Sequence, residues 1–315
     1  MNPTSQAAEA EWGALPARPL HLAIGIFDGV HLGHRAVVEA AISSARRCEG
    51  LAGVLTFEPH PSRLLRPEAP TRLILAAPIR AQRLRALGVD VVLTQPFTAA
   101  YAQLEAEAFL PEIKRRWPHL AAVYVGENWR FGRGRRGDVA LLLQEGQRQG
   151  VHVFSAPRVH LDGEAISSSR IRALLEAGEI AQANSLLGYS YVCEGPVVPG
   201  KRLGRTLGFP TLNVPWSPEL APRLGVYVVR VQAASGVGAW LPAVANYGLR
   251  PTVEQTTQPL LEVHVLSSCP LGEGDLVRVE WRRFLRPEKR FADVEALRQQ
   301  LKSDCAAALA DFSLR

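Results

Sequence analysis

Residues 22–154 alternate short apolar runs with segments of helical composition, and this alternation limits the fold more than any other feature of the chain. The apolar runs fall at 22–27, 51–57, 89–93, 121–125 and 151–154. Between them, 36–47, 78–87, 100–116 and 139–149 have the composition of helices. The pattern predicts an α/β architecture, a parallel sheet with crossover helices on both faces. Ligands bind such a sheet at the carboxyl ends of its strands. After a further helical stretch at 169–187 the pattern changes. Strand-like segments at 189–198, 225–231, 240–246, 260–266 and 276–284 follow one another across Gly, Pro and Ser turns, which predicts an antiparallel β-barrel. A terminal helix is expected over 293–312, where Val294, Leu297, Leu301, Cys305 and Leu309 recur at helical spacing. The domain boundary is expected near Gly188, giving domains of residues 1–187 and 188–315.

The length of 315 residues suits two domains of ordinary size, and 47% hydrophobic with 21% charged is a soluble globular composition. No apolar run reaches membrane-spanning length and no secretory leader is recognisable, so no membrane partner is expected. Cys48, Cys193, Cys269 and Cys305 have no paired metal-ligand spacing. They are expected to be reduced thiols in a cytoplasmic protein rather than disulfides or zinc ligands. A formal charge of +6 suits anionic ligands, either phosphorylated small molecules or nucleic acid.

The strand expected at 22–27 breaks at Asp28-Gly29 and runs into Val30-His31-Leu32-Gly33-His34. His-x-Gly-His after a strand places two imidazoles at a helix start. Free N–H groups and the positive end of the helix dipole favour an anion there. The pattern is a signature of nucleotidylyl transfer, with the alternative of a turn that happens to hold two histidines. Two further segments, 56–61 and 125–132, end strands on the same edge. In the second, Asn128, Trp129 and Phe131 suit a planar ring system, although the aromatic pair equally suits core packing. At 166–172, Ser167, Ser168 and Ser169 with Arg170 and Arg172 exceed what capping one helix needs, and point to phosphate.

In the second half, Gly195, Gly200, Gly204 and Gly208 punctuate a turn-rich stretch with Lys201 and Arg205, suited to wrapping a polyphosphate without being a Walker loop. Thr211 and Asn213 offer oxygen ligands for Mg²⁺. Glu262 lies in a strand and is either a general base facing the barrel mouth or an outward, solvated carboxylate.

Taken together, these residues resemble the bacterial bifunctional riboflavin kinase/FAD synthetase family. The resemblance runs from about Leu20 to Phe312, with several motifs in the family's order. It implies a Rossmann-like nucleotidylyltransferase domain followed by a riboflavin kinase-like barrel. The barrel would transfer the γ-phosphate of ATP to riboflavin, and the first domain would join AMP from a second ATP to FMN. Its implied partners are riboflavin, FMN and ATP with Mg²⁺, not nucleic acid, in a monomer or weakly self-associating chain. For adenylyl transfer it implies catalytic roles for His31, His34, Ser168 and Arg172. Substrate contacts there would come from Gly25, Phe27, Asp28, Gly33, Asn128, Ser167 and Ser169. For the kinase it implies Glu262 as base, Thr211 and Asn213 around Mg²⁺, and Gly200, Lys201, Gly204, Arg205 and Pro210 at the nucleotide. Asn246 and Arg250 would lie on the flavin side.

Three positions depart from the family's habit. Leu212 stands where an alanine is common, and Ser169 where a threonine is common. Ser267–Asp275 replaces a turn that often reads Asp-Leu-Tyr-Gly. The last departure bears on the kinase half. It keeps open a chain that only adenylylates, its barrel a flavin-binding module. A basic nucleic-acid-binding protein is the alternative from a different class, and predicts affinity that falls steeply with salt.

Overall fold

The computed structural model describes residues 15–200, 203–251 and 257–313. By its internal packing the chain divides into two compact units, Met1–Ser168 and Ser169–Arg315. The expected boundary, Gly188, is the left-handed C-cap of the helix Ile180–Leu187.

The first unit is built on five parallel strands, β1 (Leu20–Ile24), β2 (Leu51–Glu58), β3 (Val91–Pro96), β4 (Leu120–Gly126) and β5 (His152–Ala156), in the order β3-β2-β1-β4-β5. All five residues of β1 are buried, as a central strand covered on both faces requires. Helix α1 (Leu32–Arg47) packs on β1, β2 and β4, burying Val37, Val38, Ala41 and Ala45. Helices α2 (Ala77–Ala86), α3 (Ala106–Arg116) and α4 (Val139–Gln149) complete the alternation. Phe109, Leu110 and Ile113 of α3 and Leu142 of α4 join Leu22, Ile24 and Leu55 in one core. From β1 the chain turns to β2 on one side, and from β4 it turns to β5 on the other. The carboxyl ends of β1 and β4 therefore flank a crevice, the place where such sheets bind ligands.

Several boundaries differ from the expected ones for local reasons. The first strand stops at Ile24 because Phe27 takes a left-handed conformation (φ 53°), which no strand continues. Helix α1 starts at Leu32, where the two histidines place a helix start, and its first turn extends the helical stretch 36–47 back to the cap His31. The expected helix 100–116 is two pieces, Ala99–Ala102 and α3. The stretch 169–187 is likewise two, α5 (Ser168–Ala177) and α6 (Ile180–Leu187), separated at Gly178 with φ 84°.

The second unit holds β8 (Val192–Pro196), β9 (Leu212–Pro215), β10 (Gly225–Ala233), β11 (Leu241–Pro251), β12 (Thr257–Val265) and β13 (Leu276–Arg286); the two-residue β6 (His160–Leu161) and β7 (Glu164–Ala165) precede it. The six strands run β8-β13-β10-β11-β12-β9, every pair antiparallel. A bridge between Val198 and Asn213 brings the continuation of β8 beside β9, so the barrel is nearly closed. Strand β9, which the glycine-rich stretch concealed, supplies that closing edge. Trp281 fills the interior, fully buried against Tyr227 (4.6 Å between ring centroids), Trp216 (5.5 Å) and Tyr247 (5.6 Å).

Helix α7 (Val294–Ser313) buries Asp304 and Ala308. Arg286 holds Asp304 through a bidentate pair, Nε–Oδ1 3.0 Å and Nη2–Oδ2 2.7 Å. The stripe expected on this helix is only partly used. Val294 and Leu309 are exposed, because the buried face rotates toward Asp304, Ala308 and Phe312. Among the described residues no helix is long and apolar enough to cross a membrane.

Helix α6 is tied to the barrel through one side chain. The Asn184 amide donates to the Trp281 carbonyl (2.8 Å) and accepts from the Tyr191 N–H (2.7 Å). Replacing it leaves both backbone groups without these bonds, at a cost of about 1–3 kcal/mol. Asn184→Ala is expected to lower the urea midpoint of the second unit by an amount equivalent to about 2 kcal/mol, read by tryptophan fluorescence.

Candidate active sites

In the first unit the site begins where β1 ends. His31 occupies the N-cap of α1 and its Nδ1 accepts the His34 N–H at 3.2 Å. An accepting Nδ1 carries no proton, so the hydrogen of the neutral ring sits on Nε2, the tautomer that donates to an anion. The two imidazoles stack 3.6 Å apart at 17°, and Phe27 meets His34 edge-on at 5.4 Å. Gly33 lies under the His31 ring, where an added Cβ would stand 3.2 Å from it, so the glycine makes room for the imidazole as well as for a ligand. The first turn of α1 contains no acidic residue, which leaves the field of the helix N-terminus uncancelled.

Asp28 serves differently from the ligand contact expected of it. It is buried, and its carboxylate accepts from the backbone N–H of Ile74 (2.9 Å) and Leu75 (3.3 Å). Its own carbonyl accepts from Ser168 Oγ at 2.8 Å. Asp28 thus fastens the segment before α2 and the start of α5 to the turn after β1. Ser167 and Ser169 flank Ser168 and are exposed, and Arg172 follows one helical turn after Ser168 on the same helix. Gly25 closes the strand with an N–H bond to Leu55.

The end of β2 is a brace. Glu58 accepts from Arg80 at 2.9 Å, and His60 caps the short helix Pro61–Leu65 through the Ser62 N–H. At the end of β4, Asn128 is exposed against Arg158. The guanidinium nitrogens lie 2.6 Å away, which turns the amide oxygen toward them. Trp129 and Phe131 stack at 4.5 Å and pack on Phe109, so the core-packing reading of this pair holds. Three arginines of the basic segment 130–136 are paired locally. Arg130 pairs with Asp138, and Arg133 and Arg136 both reach Glu105.

In the second unit one cavity of about 1130 Å³ gathers most of the expected kinase residues. Register explains why. Asn246 on β11 lies opposite Glu262 on β12, and Glu262 opposite Asn213 on β9. Directly opposed residues share a face, so the three side chains form one row across three strands. Leu261, Val263 and Val265 are buried, and Glu262 and His264 alternate with them on the other face; residues 262–265 all border the cavity. Glu262 therefore faces neither the packed interior nor open solvent. Gly200 lies against the Asn213 amide so closely that a Cβ there would collide with Nδ2. Gly204, Arg205, Pro210 and Thr211 line the same cavity. Lys201 lies outside the described residues. Arg250 stands opposite Gln258 in the β11–β12 register.

His264 was not singled out from the sequence. Its Nδ1 donates to the Pro210 carbonyl at 2.8 Å, pinning the stretch before Thr211 to β12. A position two residues from Glu262 in a strand was the available signal. Ser267, Cys269, Leu271, Gly272 and Glu273, from the segment that departs from the family, also line the cavity. Among the described residues no cluster of three or more His, Cys, Asp or Glu could hold a metal. Thr211 and Asn213 offer a hydroxyl and an amide oxygen, a set that suits Mg²⁺ when waters and phosphate complete the shell.

Comparison with known proteins gives matches for both units. A family model for FAD synthetase matches residues 16–170, and one for riboflavin kinase matches residues 187–312. The bifunctional riboflavin kinase/FMN adenylyltransferase of Escherichia coli (strain K12) is 38% identical over 295 residues, covering 93% of each chain. The protein of the same name from Pseudomonas fluorescens is 38% identical over 292 residues, covering 91% of each, and that of Bacillus subtilis (strain 168) 31% identical over 298 residues. A crystal structure from Streptococcus pneumoniae, described as a macrolide-efflux protein, superposes with a TM-score of 0.83 at 28% identity, covering 92% of this chain and 93% of that one.

The buried Asp28 carboxylate gives the first site its framework. Asp28→Ala removes charge-assisted bonds to two backbone N–H groups. It is expected to destabilise the first unit by about 2–3 kcal/mol in urea denaturation. Limited proteolysis should then cut near residues 72–76 sooner than in the parent chain.

Proposed function

The chain belongs to the bacterial family of bifunctional riboflavin kinases/FMN adenylyltransferases, and from that premise we propose how its residues divide the two reactions. The barrel phosphorylates riboflavin with ATP, giving FMN and ADP. The nucleotidylyltransferase unit joins AMP from a second ATP to FMN, giving FAD and pyrophosphate. We assign the first reaction to residues 188–315 and the second to residues 1–187.

In adenylyl transfer the nucleophile is the phosphate of FMN, already an anion, so no base is needed. One FMN oxygen bonds to the α-phosphorus of ATP as the bond to pyrophosphate breaks. The protein's task is to align two phosphates and stabilise charge on the α-phosphate and leaving group. On the family resemblance we assign His31, which donates from Nε2, with His34, Ser168 and Arg172 to the reacting phosphates. Gly33, Ser167 and Ser169 are assigned to the same phosphates and Asn128 to the flavin, while Gly25 and Phe27 shape the turn. Asp28 acts through its backbone bonds, holding that turn in place.

In the kinase reaction the nucleophile is an alcohol. Glu262 takes its proton as the oxygen bonds to the γ-phosphorus and ADP departs. Mg²⁺ carried by ATP would be held by Thr211 and Asn213, where it neutralises phosphate charge. Gly200, Lys201, Gly204, Arg205 and Pro210 surround the nucleotide, and Asn246 and Arg250 lie on the flavin side. The observation that carries this reading is the row Asn246–Glu262–Asn213 along the cavity wall, which sets a carboxylate between two amides beside a glycine-rich turn. Each polypeptide carries both sites, so the reading requires only a monomer or weak self-association. Free Cys48 and Cys269, both exposed, fit a cytoplasmic location.

Incubation with ATP, Mg²⁺ and either riboflavin or FMN, followed by chromatography, is expected to give FMN and FAD from the first mixture and FAD from the second. Glu262→Gln should lower FMN formation by about 10²–10⁴-fold while FAD formation from supplied FMN continues. His31→Ala should do the reverse, lowering FAD formation by about 10²-fold. Loss of both reactions in either folded variant would contradict the two-site assignment.

A further inference from the structure

The segment 286–291, between β13 and α7, carries a carboxylate with no part in the two reactions as assigned. Glu288 lines the same cavity as Glu262. Its Oε1 accepts from Asn246 Nδ2 at 3.2 Å. It also sits directly over Gly248, where a Cβ would collide with that same oxygen. Asn246 and Gly248 are two residues apart on β11 and so share the face that Glu288 covers. The segment is anchored at both ends. Arg286 is held by Asp304, and Phe291 lies under both Arg286 and Lys289.

An asparagine amide has a donor end and an acceptor end that point apart. With Nδ2 held by Glu288, Oδ1 is turned away from that carboxylate. Without Glu288 nothing in this contact holds Nδ2, and the acceptor end of the amide is no longer kept toward a hydroxyl ligand. We propose that Glu288 is a positioning residue for the kinase half. It fixes the Asn246 amide so that Oδ1 presents a constant acceptor to a hydroxyl of the acceptor substrate, one row position from the base Glu262. Gly248 is glycine because the carboxylate needs the space above it. The inference rests on the assignment of the kinase reaction to this cavity.

The prediction concerns the acceptor substrate and not the nucleotide. In the full-length chain, Glu288→Ala is expected to raise the KM for riboflavin about ten-fold, with the KM for ATP and the thermal midpoint unchanged. Asn246→Ala should give the same loss, and the double variant no further loss, because Glu288 acts through Asn246. Glu288→Gln keeps an acceptor oxygen and should stay within two-fold of the parent. Asn246→Asp sets two carboxylates together and should be severely impaired. Asn246→Asp combined with Glu288→Gln restores a donor–acceptor pair and should recover most of the loss. Gly248→Ala offers a separate route, since it displaces the carboxylate without removing it, and should match Glu288→Ala.

Additive losses in the double variant, an equal rise in the KM for ATP, or an unchanged KM for riboflavin in Glu288→Ala would each overturn the inference. Failure of the parent chain to form FMN, or full kinase activity in Glu262→Gln, would instead overturn the kinase assignment beneath it. Normal parent turnover that is lost in Glu262→Gln, alongside an unaffected Glu288→Ala, rejects the positioning role alone.

Discussion

A strand buried on both faces offers a ligand no access along its length. In the first unit β1 is such a strand, covered from Leu20 to Ile24 and apolar except for the buried His21. Chemistry can start only where it stops, and the crossover order of the sheet opens a crevice at that point between β1 and β4. The left-handed residues that end the strand also turn the chain so that His31 becomes an N-cap. A different constraint governs the barrel. Its interior is packed by one face of the sheet, and the outer face is covered only in part, where α7 packs on Val226, Val228 and Val244, so outer side chains elsewhere are free for another use. The outer face of β9, β11 and β12 is where Asn213, Asn246 and Glu262 align, and α7 with neighbouring turns walls that face into a cavity.

These constraints explain which parts were legible beforehand. The alternation of apolar runs and helical segments, then of strands alone, was sufficient for both architectures because burial on two faces and on one face leave different periods. His31 and His34, the serine cluster and the glycine-rich turn were legible because each lies where an element starts or stops. Glu262 was not resolved, since period-2 alternation separates two faces without saying what covers the outer one. Solvent and a cavity wall read alike in sequence, and only α7 and the turns decide between them.

Other residues were hidden because their partners are distant in the chain. Asp28 lies within the motif, yet its carboxylate binds backbone at Ile74 and Leu75, more than forty residues on. His264 acts on Pro210 through a carbonyl, which leaves no trace in side-chain identity. Strand β9 was masked by glycines that serve close packing, as Gly200 does against Asn213. On α7 the spacing of apolar residues was correct, but the Arg286–Asp304 pair draws a polar residue into the buried face and leaves Val294 and Leu309 outside.

The distribution of carboxylates separates the two chemistries. A phosphate nucleophile is repelled by a nearby acid, and in the first unit α1 begins without one while Asp28 is committed to backbone N–H groups. The anionic ligand then meets N–H donors rather than competing charge. An alcohol nucleophile must lose a proton, and the second unit sets Glu262 on the cavity wall between two neutral amides. Under the proposed assignment Asn213 serves the nucleotide and Asn246 the acceptor, and the carboxylate between them is the one group in the row able to change its charge during the reaction.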